Sequence, residues 1–320
     1  METVRKSANE IYYYFLENDL DHWFVYEPNP VGLSRYPDLH ELLALKYGDC
    51  VGGSYLEVMV LRSLGIPSTI DYVPLWGRKN GTHCSDVFWD NELQRFRIAS
   101  GRAFEFPTKV FRYTFKRQGI WTDSILPVIQ KTNIFLLDFL KHDHWLDVTH
   151  EHTSTATIDY EYDFSSDYAY ICVFNYGQWI PIYWSKVMNE RVRFENMGTE
   201  MLYRTAVPQK NSYEIISPVF HVDKKGNKTF FKPDYDKKIN LNLSKLNTGS
   251  KSWVEKEKEY CLYYFDEKSD CIVFETQKCE RDSLIIFEGV PSNTLYRLRD
   301  VEQNRRLERI FTYENEEQIF

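Results

Sequence analysis

Several features are absent from this 320-residue sequence, and each absence excludes a class of protein. No apolar stretch approaches the roughly 18 residues that a membrane-spanning helix needs, so no membrane span is predicted. No run rich in lysine and arginine occurs and the formal net charge is −8, so the basic surface typical of nucleic-acid binding is missing. The start, METVRKSANEIYYYF, is interrupted by charged and polar residues and has no clean signal-peptide core.

The cysteines lack the spacing of two common types of cysteine site. They are Cys50, Cys84, Cys172, Cys261, Cys271 and Cys279. Because no two of them form a C-x-x-C pair, the sequence gives no support for a zinc-ribbon or thioredoxin-type site. The last three lie close together in the sequence and could form one disulfide, but free and mostly buried thiols are the favoured interpretation.

A histidine-rich stretch, KHDHWLDVTHEH at 141–152, has the composition of a metal site but not the spacing. It supplies His142, His144, Asp147, His150 and His152. The H-E-x-x-H pattern is absent, and as a strand the stretch would place only its last two histidines on one face. A solvated linker is therefore favoured, and neither a metal nor an organic cofactor is predicted.

The first part of the sequence predicts helices followed by strands. A helix is expected over 3–16, and a second, LHELLALKY, follows Asp38 as its N-cap. A third begins at Cys50 and ends at LGIP, where Gly65 can adopt the left-handed conformation. The stretches STIDYVPLW, HCSDVFW and LQRFRIAS then read as consecutive antiparallel strands, which indicates an α+β fold.

Beyond about residue 150 the helical periodicity disappears. Short β-type runs such as RVRFENMG and MLYRTAVPQ alternate with turns, and several runs are apolar on both faces, as in the core of a β-sandwich. Aromatic residues make up 16% of the chain, which suits sheets; most are expected in the core, with stacking on sugars or peptides as the alternative. The polar stretch NLNLSKLNTGSKS, 240–252, is predicted to be a linker.

Two residues suggest nucleophilic chemistry. Cys50 opens a helix, where unpaired backbone N–H groups and the helix dipole stabilise a thiolate. His83 begins a later strand, and a cysteine and a histidine on separate elements form the arrangement that activates a thiol. Asp49 is expected to cap the helix and not to act in catalysis. Tyr72 and Trp76 could line a substrate cleft, although a core position is favoured for both.

The segment GDCVGGSYLEVMVLRSLGIPSTIDYVPLWGRKNGTHCSDVFW resembles the core of the transglutaminase-like superfamily. The matching features are the G-D-C opening, the LRSLGIP helix end, the DYVPLWG strand and the histidine that begins the next strand. Later segments, YICVFNYGQWIPIYWSKV, PVFHVDKKG and LIIFEGVPSNTLYRLRD, resemble a bacterial subgroup that carries β domains after this core. The resemblance implies a papain-like α+β core over 1–150 and antiparallel β-sandwich-type domains over 151–250 and 251–320.

The same resemblance implies roles for individual residues. Cys50 takes the nucleophile position and His83 the base position. With Phe96 as the aromatic residue that precedes the family's acid, the third position falls on Ser100, which is not an acid. Ser85 stands where the family commonly has tryptophan. A serine can accept a hydrogen bond from an imidazole but cannot stabilise an imidazolium by charge, so weak or absent activity is expected.

Two carboxylates, Asp86 and Asp90, are alternatives for the third position. Strand alternation places Ser85 on the face of His83 and places Cys84 and Asp86 on the other face. Asp90 lies near the following turn. Neither carboxylate is well placed to orient the histidine.

The implied activity is acyl transfer at a peptide or protein amide. Cys50 would form a thioester and His83 would shuttle protons, with water favoured over an amine as the second substrate. The alternative is a catalytically inactive scaffold that binds peptide or glycan. Since the relatives are typically exported, a periplasmic or extracellular location is expected, with the cytoplasm as the alternative because no leader is visible.

Overall fold

The structure is a computed structural model that describes residues 24–27, 38–98, 104–118, 144–161, 166–249, 252–302 and 307–320. The helices of the first region are α1 (Leu39–Leu45), α2 (Cys50–Ser63) and α3 (Thr149–His152). Its strands are β1 (Val25–Tyr26), β2 (Tyr47–Gly48), β3 (Ser68–Val73), β4 (His83–Asp90), β5 (Arg95–Ile98), β6 (Phe111–Tyr113) and β7 (Trp145–Asp147). The helix predicted over 3–16 lies outside the described residues.

Both longer helices begin as the sequence predicts, and α2 also ends as predicted, whereas α1 ends at Leu45, before the predicted Tyr47, because Lys46 adopts the left-handed conformation (φ +58°). The Asp38 carboxylate accepts the N–H of Glu41 at 2.9 Å, and the Glu41 carboxylate accepts the N–H of Asp38 at 3.1 Å, which completes a capping box at α1. At α2 the Asp49 carboxylate accepts the N–H groups of Val51 and Gly52, so the predicted capping role of Asp49 is confirmed. Beyond α2, Gly65 has a φ of +76°, the left-handed conformation expected there.

The first region contains a five-stranded antiparallel sheet in the order β5-β4-β3-β6-β7. One face, which we call the helix face, is covered by α2, where Val58 packs against Ile70 of β3 and Cys84 of β4. Because successive side chains of a strand point to opposite faces, Asp71 of β3 and His83 of β4 lie on the other side. We call that side the cleft face.

The second region is a sheet of eight strands. They are β8 (Thr155–Glu161), β9 (Tyr168–Asn175), β10 (Gln178–Met188), β11 (Arg191–Gly198), β12 (Met201–Gln209), β13 (Ser212–Ile215), β14 (Phe220–Val222) and β15 (Lys228–Phe230). They run in the order β15-β14-β12-β9-β10-β11-β8, with β13 paired to β12. Strands β11 and β12 coincide with the predicted runs RVRFENMG and MLYRTAVPQ.

Strand β9 is buried on both faces, as its doubly apolar sequence predicts. Ile171 and Val173 lie in the core of the eight-stranded sheet. Tyr170 and Cys172 belong to a second core that includes Phe265 from the last part of the chain. The central strand therefore joins two hydrophobic cores.

The third region consists of β16 (Asp234–Leu243), β17 (Glu259–Phe265), β18 (Cys271–Lys278), β19 (Ile285–Ser292), β20 (Tyr296–Asp300), β21 (Ile310–Glu314) and β22 (Glu317–Ile319). Strand β16 pairs with β19, and the other five form a sheet in the order β18-β17-β20-β21-β22. Leu241, Leu243 and Leu246 are buried in the core of this region. The interpretation of 240–252 as a linker is thus corrected for its first part: residues 240–243 belong to β16, where Leu241 and Leu243 alternate with polar residues, and Leu246 is buried beyond the end of the strand.

Most of the described structure is antiparallel sheet, and helices are few. The β-rich part of the predicted architecture is therefore confirmed. Within the ranges given above, no helix has the length and apolar character to cross a membrane.

A buried arginine connects the three regions. The Arg309 guanidinium donates hydrogen bonds to the carbonyl oxygens of Gly77 in the first region and Phe174 in the second. Nearby, the Asn80 side-chain amide donates to the carbonyl of Leu307 at 2.6 Å. Burial lowers the pKa of Arg309 to about 9, because its partners are carbonyl dipoles and carry no full negative charge.

Candidate functional site

Cys50 lies at the first residue of α2, on the helix face of the sheet. Three backbone N–H groups, those of Cys84, Cys50 itself and Val51, donate toward its sulfur and lower the pKa of the thiol. Burial acts in the opposite direction and is the largest effect, and the neighbouring Asp49 carboxylate adds to it. The net result is a pKa above the ordinary value for cysteine, so the sulfur is mainly a neutral thiol at neutral pH.

His83 is the first residue of β4, and its ring has aromatic neighbours. The indole of Trp76 stacks on it and the ring of Phe104 meets it edge-on, each with ring centroids 5.6 Å apart. Burial and the nearby Lys79 lower the pKa of the imidazole. Trp76 is itself 5% exposed, which agrees with the core position favoured for it. The ring of His83 is therefore held in place but is mainly uncharged at neutral pH.

The structure brings the elements that carry Cys50 and His83 together at one point. The Cys84 N–H that donates to the Cys50 sulfur belongs to the residue directly after His83. The two side chains have different neighbours, however, and the described residues include no hydrogen bond between the Cys50 sulfur and the His83 ring. Their predicted cooperation stays a prediction.

The third predicted site residue, Ser100, lies outside the described residues. The two alternative acids are placed away from the His83 ring. Asp86 lies on the helix face, where its carboxyl group forms a hydrogen bond with the side chain of Glu57 of α2. Asp90 accepts the N–H groups of the following turn and pairs with Arg97 at 3.1 Å. Both findings agree with the expectation that neither acid orients His83.

A buried ionic network on the cleft face was not predicted from the sequence. Arg112 of β6 binds both oxygens of Asp71 at 2.8 Å each and also pairs with Glu151 of α3 at 2.9 Å. The Nε2 of His152 lies 2.7 Å from the same Asp71 carboxylate, and the ring of Phe104 packs on the imidazole at 4.8 Å. Asp71 is 0% exposed.

The interpretation of the histidine-rich stretch as a solvated linker is therefore corrected for residues 144–152, which the structure describes. Residues 149–152 form the helix α3 and not a strand, and His152 is an internal partner of Asp71 and not part of a solvated linker. The described residues contain no group of three or more potential metal ligands. The abundance of histidine was the one signal in the sequence, and Asp71, 81 residues away, could not be identified as its partner.

Two concave surfaces lie outside the Cys50 region. The first, which we call the Arg95 cleft, is a space of about 480 Å³ on the cleft face. The second, the Tyr313 groove, is a space of about 560 Å³ in the third region. The groove is lined by Phe231, Asp234, Lys237, Ile239, Ser292, Asn293, Thr294, Tyr296, Thr312, Tyr313 and Glu314.

The cysteines other than Cys50 are also free thiols. Cys84, Cys172, Cys261 and Cys279 are buried, whereas Cys271 is exposed. This agrees with the favoured interpretation of free and mostly buried thiols. Burial raises the pKa of Cys84 well above its ordinary value, so the thiol nearest to Cys50 is neutral as well.

Comparisons with protein-family models, with curated proteins and with solved structures find no match for this chain. The transglutaminase-like resemblance thus depends only on the sequence segments that carry it.

Proposed function

We propose that this chain uses a transglutaminase-like, papain-type framework for binding, with Cys50 held as a neutral thiol. The observation that carries the proposal is the raised pKa of that thiol, which burial imposes in spite of three backbone N–H donors. The thiolate is the form that attacks a carbonyl, so a neutral resting thiol is a poor nucleophile.

The state of His83 supports the same conclusion. Activation of a cysteine by a histidine requires transfer of a proton from sulfur to imidazole, which depends on the difference between their two pKa values. Burial raises the pKa of Cys50 and lowers that of His83, so both shifts increase the difference and favour the neutral pair. Ser100 at the position of the family's acid adds no negative charge to counter this.

The Tyr313 groove supports a glycan as the bound partner. Its lining combines the aromatic surfaces of Phe231 and Tyr313 with hydroxyl, amide and carboxylate groups, the mixture that recognises sugar rings and their hydroxyls. Retardation of the protein in native gels that contain a soluble polysaccharide would measure this binding. We expect Tyr313→Ala to lose the retardation, and the exposed Tyr235, which does not line the groove, provides the matched control variant Tyr235→Ala.

The test of the thiol's state is the rate at which Cys50 reacts with iodoacetamide between pH 5 and pH 10, followed by peptide mass spectrometry. We expect the rate at Cys50 to stay low below pH 8 and to rise only above the ordinary thiol range. Cys271, which is exposed, supplies an internal comparison in the same sample. A plateau of fast alkylation at Cys50 below pH 7, abolished by His83→Gln, would overturn the proposal.

That same outcome would establish the second candidate function, acyl transfer through Cys50. The observation in its favour is the convergence of three N–H groups at the sulfur, which could also stabilise negative charge on a reacting carbonyl oxygen. In that case a thioester at Cys50, absent from Cys50→Ser, should be detectable by mass spectrometry after exposure to an activated ester such as p-nitrophenyl acetate.

A further inference from the structure

The loop that leads from β3 toward His83 is a closed turn over residues 76–81, which we call the Trp76 loop. The N–H of Trp76 donates to the carbonyl oxygen of Gly81 at 3.1 Å and so joins the two ends of the turn. Gly81 has a φ of +100°, a backbone conformation that favours glycine. Because His83 follows the loop by two residues and stacks on Trp76, the shape of the loop helps to determine where the imidazole lies.

A buried asparagine of the second region binds this loop. Asn175 is the last residue of β9 and is 0% exposed. Its side-chain amide donates to the carbonyl oxygens of Trp76 at 3.2 Å and Lys79 at 3.1 Å. Its side-chain oxygen accepts the N–H of Gly81 at 3.0 Å. One side chain thus satisfies three backbone polar groups, at the start, the middle and the end of the loop.

Other groups of the second and third regions hold the same loop. The N–H of Tyr176, in the turn between β9 and β10, donates to the side-chain oxygen of Asn80 at 3.1 Å. The Asn80 amide donates in turn to the carbonyl of Leu307, and the Arg309 guanidinium donates to the carbonyl of Gly77. The Trp76 loop belongs to the first region in sequence, but its hydrogen-bonding partners come from both later regions.

The loop supplies two of the groups that set the surroundings of His83. The rings of Trp76 and Phe104 that face the imidazole are uncharged, and Lys79 is the charged side chain that acts on it. Burial and, to a smaller extent, the Lys79 charge lower the pKa of His83. A displaced loop would carry Trp76 and Lys79 away from the ring and admit water, and both changes would raise the pKa.

We propose that Asn175 is a positioning residue for His83. It acts through the Trp76 loop, because its three hydrogen bonds fix the backbone that carries the stacked indole and Lys79. The second region is then part of the His83 site, since the first region lacks the side chain that fixes this loop. The inference rests on the neutral state of His83 in the function proposed above, and it assigns control of that state to a side chain of another region.

The test is an NMR titration of the histidine Cε1–H signals in the full-length protein, with the His83 signal assigned by its loss in His83→Gln. We expect Asn175→Ala to raise the pKa of His83 toward the ordinary histidine value of 6.5. The chemical shift of the uncharged ring should also change, because the ring current of Trp76 no longer acts on it.

Ser217→Ala is the matched control. Ser217 is a buried residue of the second region, and its hydroxyl oxygen accepts the N–H of Thr205 at 2.7 Å. Its replacement also removes a buried hydrogen bond to the backbone, so it should lower the melting temperature. The titration of His83 should stay unchanged, because Ser217 does not contact the Trp76 loop through this bond.

Asn80→Ala provides a second variant in case Asn175→Ala does not fold. Asn80 is half-buried and accepts the N–H of Tyr176, the residue after Asn175. Its replacement loosens the same loop from a less buried position, and we expect the His83 pKa to rise by a smaller amount.

Three results would overturn the inference. An unchanged pKa and chemical shift of His83 in every loop variant that folds would show that the loop keeps its shape without Asn175. An equal change in Ser217→Ala would assign the effect to general destabilisation. A wild-type pKa of 6.5 or above would contradict the proposed function and this inference together, whereas a lowered wild-type value with unchanged variants would contradict this inference alone.

Discussion

The two faces of the first sheet differ in whether their buried ionisable groups have an oppositely charged partner. On the helix face, the Cys50 and Cys84 thiols and the Asp86 carboxyl all have pKa values raised by burial, which favours their neutral forms. On the cleft face, Asp71 is paired with Arg112 through two hydrogen bonds of 2.8 Å.

The two faces differ in the partners that they give to equally buried carboxyl groups. Asp71 and Asp86 are both almost inaccessible, at 0% and 2% exposure. Asp71 has an arginine beside it, whereas the side-chain partner of Asp86 is another carboxyl group, that of Glu57. Without an opposite charge beside it, burial raises the pKa of Asp86 and favours its protonated form.

The largest expected effect comes from removing the buried ion pair between Asp71 and Arg112 on the cleft face. Asp71→Asn leaves the buried Arg112 without its main counter-charge, and we expect a loss of about 3–5 kcal/mol in the free energy of unfolding. Urea unfolding followed by circular dichroism measures it. Asp159→Asn, which removes the carboxylate of the exposed Arg193 pair, is the matched control and should cost about 1 kcal/mol or less.

Equal losses from the two asparagine variants would contradict the comparison, because they would show that the buried ion pair contributes no more than an exposed one. A loss of stability in Asp159→Asn but not in Asp71→Asn would also contradict the comparison.

A smaller effect is expected on the helix face, and it depends on pH. The raised pKa of Asp86 means that the folded state binds its proton more tightly than the unfolded state. Stability should therefore fall as the pH rises from the ordinary aspartate pKa of 3.8 through the raised folded value. The asparagine of Asp86→Asn cannot ionise, so the substitution should raise the free energy of unfolding at pH 8 by about 1 kcal/mol, which raises the melting temperature by roughly 2–4 °C. It should have little effect near pH 4.

The pH dependence is what distinguishes this mechanism from a change in packing. A gain of the same size at pH 4 and pH 8 would show that protonation of Asp86 is not involved. Melting curves of Glu57→Gln over the same pH range provide the control, since the Glu57 side chain is hydrogen-bonded to Asp86.

Local structure was predictable wherever it depends on neighbouring residues. The capping residues Asp38 and Asp49 and the left-handed Gly65 follow from side-chain and backbone preferences within a few positions. The boundaries of β11 and β12 follow from alternation of apolar and polar residues bounded by turns.

Two predictions were wrong because a polar composition was taken to indicate exposure to solvent. The polar stretch over 240–252 looks like a linker, yet Leu241, Leu243 and Leu246 are buried in a core. The stretch that ends at His152 looks solvated, yet the ring is held by a carboxylate on another strand. In both cases the partner lies far away in the sequence, and no local pattern identifies it.

The sequence by itself determined the caps, the strands and the placement of Cys50 at a helix start and His83 at a strand start, because these depend on short-range backbone and side-chain preferences. Only the tertiary structure decided that Cys50 is buried enough to remain a neutral thiol and that Asp71 pairs with Arg112 and His152. Desolvation and pairing depend on which distant segments pack together, so the protonation states that decide the chemistry emerge only in the folded chain.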